Sequence, residues 1–244
     1  CMIRDARIAV SGSAAKEAEN GIYGDDLANQ VQFQISVEMK GLLKDIEQQI
    51  LFGTLNTGQP RRFKGLAGDV GTWNGFLSTN VYDMNTNHGT TAITAAFVNQ
   101  FLRSIYDQDT GFFPDTLLVS SKTVIKFAGF ANVSNFTYTP ADINSGAVSN
   151  LRWPAGTPVV PFLSPFGPVN VVPHPLLADS ATTENNGIIA IKKDFVKIAD
   201  FRPLAVYPVA RTKDSIQADI IWEGTLEVQI EQAMGIMKDF NPDL

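Results

Sequence analysis

Apolar residues step by threes and fours from residue 27 to residue 50. Leu27, Val31, Ile35, Met39, Leu42, Leu43, Ile46 and Ile50 fall toward one side of a helix, while Glu38, Lys40, Lys44, Asp45, Glu47 and Gln48 take the remaining surface. Asp25 or Asp26 is placed to cap the start and Gly53 to close the end. The pattern therefore predicts a rod from Leu27 to Phe52, about 39 Å long. A different period governs residues 216–230. Ile216, Ala218, Ile220, Trp222, Leu226, Val228 and Ile230 occupy even positions, with Gly224 keeping the parity, and the odd positions are polar except Ile221. That alternation predicts one continuous strand about 50 Å long. A rounded chain of this size would be about 46 Å across. Both elements point instead to an elongated plate whose uncovered surface is met by neighbouring copies.

Shorter signals lie between and around these two. A second helix is expected to begin near Thr90 or Thr91, to carry Ile93, Phe97, Phe101, Leu102 and Ile105 inward, and to end near Tyr106. TLLVSS at 116–121 reads as a short buried strand whose serines cap a third helix running through Phe127. The proline-rich stretch from Pro154 to Pro175 excludes helix and reads as an ordered loop and hairpin region with a strand at Val169 to Val172. From Gly187 the pattern is β: residues 188–191, a run around Phe195 to Phe201, then Leu204 to Val209. Residues 54–89 carry no strong pattern. The opening, CMIRDARIAVSG, favours an extended chain, yet Arg4 shares one face with Met2 and Ile8 while Asp5 and Arg7 share the other with Ile3. Such a strand suits an edge, or an arm that waits for a partner. The fold class these elements define is α+β.

Composition narrows the chemistry. At 244 residues with 44% hydrophobic and 18% charged, the chain lies in the globular range. It is long enough to bury roughly 70% of its unfolded surface. Cys1 is the single cysteine, so no internal disulfide forms, and with only His88 and His174 beside it no Cys/His zinc site is available. A net charge of −6 argues against a nucleic-acid binder that works by phosphate neutralisation. The apolar runs fall far short of the roughly 20 residues a membrane helix needs, so no membrane partner is expected. The chain opens on Cys1-Met2 in mid-pattern, from which an upstream segment is expected.

No motif adds catalysis. GLAGDVGTWNG lacks the Gly-Lys-Ser/Thr and GxGxxG arrangements of phosphate cradles. Asp83, Asn85 and Asn87 are spaced somewhat as in a calcium loop, but the glycine falls one place late and Thr94 stands where a glutamate belongs, so turn and cap chemistry is expected there. His88 and His174 have no nucleophile in a recognisable elbow and read as turn residues. Catalytic, cofactor and metal sites are accordingly all assigned as none. The basic cluster Arg61, Arg62 and Lys64, with Phe63 its only aromatic, points to salt bridges with an acidic neighbour rather than to nucleic acid.

In order, the pieces RIAVSGSAA, the long helix ending DIEQQILFG, the loop RRFKGL, the helix through FLRSIYD, the strand PDTLLVSS and the closing GTLEVQIEQAMGIM resemble a tailed-bacteriophage major capsid protein of the Hong Kong 97 fold. The resemblance implies an E-loop remnant at 1–24, a spine helix and following P-domain loop at 25–87, an α/β A-domain at 88–186 and P-domain return strands at 187–244. On this pattern residues 1–24 lack the outgoing E-loop strand as a hairpin partner. It further implies a homo-oligomer of hexamers and pentamers, scaffold and portal proteins as partners, and packaged DNA held without sequence-specific contact. The shell would be a virion capsid assembled in the host bacterial cytoplasm. Arg4, Arg7, Arg61, Arg62 and Lys64 are the candidate subunit-interface residues. The Pro-rich stretch and the loop from Asn132 to Gly146 are candidates for contacts at the capsomer axis. Two alternatives stay open: an encapsulin-type nanocompartment shell, and a monomeric carbohydrate-binding module using the loops around Trp73 and Trp153.

Overall fold

The computed structural model describes residues 2–11, 30–58, 60–69, 72–89, 92–130, 160–177, 187–209 and 215–241. The expected caps at Asp25 and Asp26, the loop 132–146, Trp153 and the stretch 154–159 lie outside the described residues. In chain order the elements are β1 (Met2–Ser11), α1 (Gln30–Phe52), β2 (Val81–Asp83), α2 (Met84–His88), α3 (Ala95–Tyr106) and β3 (Thr116–Val119). Then come α4 (Ser121–Ala128), β4 (Val160–Ser164), β5 (Gly167–Pro173), β6 (Gly187–Ile191), β7 (Val196–Val209), β8 (Ser215–Val228) and β9 (Gly235–Lys238). The chain divides into two compact units, Cys1–Asp69 with Lys197–Glu227, and Val70–Val196 with Val228–Leu244.

The first unit carries the two long elements. In α1, Leu42, Ile46, Gln49 and Leu51 are buried and Ile35 and Met39 half-buried, as the helical period requires. Leu43 departs from expectation: it is 52% exposed, because consecutive helical residues lie about 100° apart and Leu42 takes the inward direction. Gly53 closes the helix through its N–H to the Gln49 carbonyl at 2.9 Å. β8 keeps its alternation. Ala218, Ile220, Trp222, Gly224 and Leu226 are buried while the residues between them are half-exposed.

β8 is the middle strand of a three-stranded sheet ordered β1-β8-β7. The opening strand is an edge strand, as its mixed faces suggest, and not an arm without a partner: β1 runs antiparallel to β8 in unbroken register from Met2 opposite Gly224 to Ser11 opposite Ser215. And the two short runs expected between Phe195 and Val209 form one 14-residue strand, β7. Pro203 and Pro208 fall in an edge strand, the position in a sheet where proline is tolerated.

The second unit is a six-stranded mixed sheet ordered β2-β9-β6-β3-β5-β4. β2 with β9 and β3 with β5 are parallel, and the other pairs antiparallel. α3 and α4 pack on it through a core that includes Phe101, Leu102, Leu117, Phe127, Phe162 and Phe240, all fully buried. α4 starts at Ser120 as the sequence predicts, its hydroxyl accepting from the Thr123 N–H at 3.3 Å. α3 starts later than expected, with Thr94 as its cap. β2, α2 and β9 had no sequence signal, since three to five residues are too few to show a period.

The parallel pair β2–β9 is closed by charge. Asp83 caps α2 through Thr86 N–H at 2.9 Å and Thr86 Oγ1 at 2.8 Å, and Lys238 Nζ lies 3.3 Å from Asp83 and 2.9 Å from Asp239. Burial pushes the Asp83 carboxyl up, but the Thr86 hydrogen bonds and Lys238 outweigh it and hold the group below its ordinary value. Asp239 goes the other way, pushed up chiefly by burial. A lowered folded-state value means that Asp83 stabilises the fold above the ordinary carboxylate range and loses that contribution as pH falls through its folded value. Asp239, raised, stabilises as pH falls and so opposes it. Lys238→Gln should therefore move the Asp83 titration upward, read by carboxyl-carbon NMR, and an unmoved Asp83 would show that Lys238 does not hold it.

Two glycines give a stability test. Gly41 in α1 has open space around it, whereas a Cβ on Gly65 would lie 2.5 Å from the Gly53 nitrogen and 2.8 Å from the Gln49 carbonyl oxygen. Gly41→Ala should stabilise by about 0.5–1 kcal/mol. Gly65→Ala should cost about 2–3 kcal/mol, both read as shifts in the urea midpoint.

Candidate intersubunit surfaces

The C-terminal end of α1 leaves carbonyls that no residue within the helix can satisfy. The returning chain supplies their donors. Leu66 N–H meets the Ile50 carbonyl, Ala67 the Leu51 carbonyl and Gly65 the Gly53 carbonyl, each at 2.8 Å. The buried Gln49 amide donates to the Phe63 carbonyl at 2.7 Å, and Phe63 itself is buried. Farther out, Asn56 and Arg62 exchange backbone hydrogen bonds at 3.1 and 3.0 Å. The Asn56 side chain folds the turn between them, donating to Pro60 O at 3.1 Å and accepting from Gly58 N–H at 2.9 Å. The result is a short, internally bonded finger fixed to the helix end.

Three of the sequence-derived interface candidates stand on this finger. Arg61 and Arg62 are exposed and Lys64 is half-buried. Leu55, which the sequence reading did not single out, is 65% exposed beside them. Arg4 and Arg7 belong to β1, opposite Trp222 and Asp219 of β8.

A second surface was not anticipated. β7 is exposed along most of its length on both faces, and Phe201 is 74% exposed, with Ile198, Val206 and Tyr207 also out. Ala199, Asp200, Phe201, Glu223, Gly224 and Thr225 line a mostly apolar groove between β7 and β8. Its floor is set by Gly224, where any Cβ would enter the Trp222 ring. Trp222 is pinned from the side by its indole N–H to Asp200 Oδ1 at 2.7 Å, and Arg202 Nε lies 3.5 Å from the Glu223 carboxylate. The sequence pattern shows this strand only as two short runs, around Phe195 to Phe201 and Leu204 to Val209.

The residues tested for chemistry have structural partners. His88 Nε2 sits 2.5 Å from Tyr82 Oη, and its ring lies 4.3 Å from that of Phe97. His174 Nδ1 accepts from Leu176 N–H at 3.2 Å. Among the described residues no group of three or more His, Cys, Asp or Glu is placed to hold a metal ion, and no helix is long and apolar enough to cross a membrane.

A long helix beside a long-stranded sheet, with a separate mixed-sheet unit, is a fold shared with solved phage capsid structures. The Cyanophage A-1(L) capsid protein superposes with a TM-score of 0.61 at 10% identity, covering 98% of this chain and 77% of that one. The capsid of Myoviridae phage XM1 gives 0.59 at 14%, covering 98% and 73%. The SrpI encapsulin of Synechococcus elongatus PCC 7942 gives 0.58 at 11%, covering 99% and 75%. No curated protein sequence matches. The profile of the SU10 major capsid protein family matches residues 1–241. The chain belongs to that family, and its fold is the Hong Kong 97-type capsid fold expected from the sequence. It is a structural component of a phage head.

Proposed function

We propose that this chain assembles into the hexamers and pentamers of an icosahedral phage head that encloses double-stranded DNA, with scaffold and portal proteins as partners and the host bacterial cytoplasm as the place of assembly. The family match across residues 1–241 carries the reading. Within it, 1–24 acts as the E-loop remnant, 25–87 as spine helix and P-domain loop, 88–186 as A-domain and 187–244 as P-domain return strands. The role is structural and not enzymatic. Arg4, Arg7, Arg61, Arg62 and Lys64 serve at subunit contacts, and the net charge of −6 suits a wall from which packaged DNA must come away freely. An encapsulin-type compartment is the second reading, favoured by the superposition on SrpI. Particle contents separate the two: nucleic acid supports a head, enclosed protein a compartment.

Negative-stain microscopy of the gene product expressed alone should show hollow shells. Arg62→Glu should abolish them while the circular dichroism spectrum stays that of the folded chain. Normal shells from Arg62→Glu would remove that residue from the contact, and monomers from the wild-type product under every condition would count against the whole reading.

A further inference from the structure

The finger and the groove fit each other chemically. The finger offers an apolar Leu55 next to two exposed guanidiniums, Arg61 and Arg62, and among the described residues no ion pair engages either. The groove offers an apolar floor at Gly224, an aromatic lip in Phe201, and two carboxylates, Asp200 and Glu223, of which Asp200 is occupied by the Trp222 indole and Glu223 is approached by Arg202. Resting on the capsid reading, we propose that the finger of one copy docks in the β7–β8 groove of the next, Leu55 against the exposed Phe201, and Arg61 and Arg62 toward the rim that carries Asp200 and Glu223.

Two features of the surfaces support this pairing. Both are built before any partner arrives: the finger by the Asn56–Arg62 backbone pair and its links to α1, the groove by the Gly224–Trp222 contact and the Asp200 hydrogen bond. Preformed surfaces lose little conformational freedom on docking. The two patches also differ from each other. A contact between unlike patches is heterologous and propagates around a ring, as a capsomer requires, whereas a self-complementary patch stops at a pair. Charge of opposite sign on the two patches sets register and disfavours finger-to-finger contact.

The test uses two differently tagged full-length chains, each with Cys1→Ser. One carries Thr57→Cys at the finger tip, which leaves both arginines in place, and the other carries Ala199→Cys in the groove wall. Mixed under assembly conditions and treated with a short bismaleimide, they should give a mixed-tag dimer at least about tenfold above either like-tag dimer, because docked neighbours hold the thiols at high effective concentration. Adding Arg62→Glu to the Thr57→Cys chain should remove most of that product. Particles that form normally yet show no excess of the mixed dimer would overturn the docking and leave the capsid reading standing. Absence of particles from the Cys1→Ser chain alone, with no mixed dimer, would overturn both.

Discussion

The end of α1 is the constraint from which the first unit is built. A helix leaves its last carbonyls without partners, and a buried end with none is costly. Here the amides of Gly65, Leu66 and Ala67 take up the carbonyls of Gly53, Ile50 and Leu51. That return path forces residues 54–64 out and back within a short span, with Gly65 lacking a side chain because backbone atoms approach from three sides. The buried pair of Gln49 amide and Phe63 carbonyl fixes the base of the excursion, and the basic residues ride on its outer half. A hydrogen-bond requirement inside the subunit thus decides where its exposed cations stand.

The two units use their apolar residues differently. Among the described residues the second unit buries twenty-five hydrophobic side chains and leaves five large ones exposed, while the first buries ten and leaves eight exposed. Among the described residues the first unit keeps Phe33, Val37, Leu43, Leu55, Ile198, Phe201, Val206 and Tyr207 exposed.

Legibility in the sequence followed how much of an element is buried. β8 could be read from Ala218 to Leu226 because the even positions there are buried, so burial imposes a period of two, whereas Ile230, also read as inward, lies past the strand end and is 38% exposed. α1 and α3 showed their 3.6-residue period, and α4 showed its capping serine. β7 was read as two short runs and not as one strand, since among the described residues it is exposed along most of its length and burial imposes no period on it. β9 is four residues between positions of positive φ, Ile230 and Asp239, which break the pattern on both sides. The finger was legible as a basic cluster, yet its rigidity depends on Asn56 and Gln49, polar residues that look ordinary in sequence. The groove was not legible at all. Its walls come from residues 199–201 and 223–225, and its depth depends on one glycine facing one tryptophan ring.

The prolines of β7 bear on how that edge is used. An open strand edge is a template for pairing with any other strand, and a long apolar one invites aggregation. Pro203 and Pro208 fix two φ angles in β7, and, being five residues apart, they leave the open edge short of one amide donor, which weakens it as a template for a further strand. What β7 presents instead are side chains, with Phe201 and Ile198 standing out. Backbone pairing is indifferent to sequence and has no natural stopping point. Side-chain docking between two unlike, preformed patches fixes an angle between neighbours, and a fixed angle is what closes a ring and then a shell rather than extending a fibre.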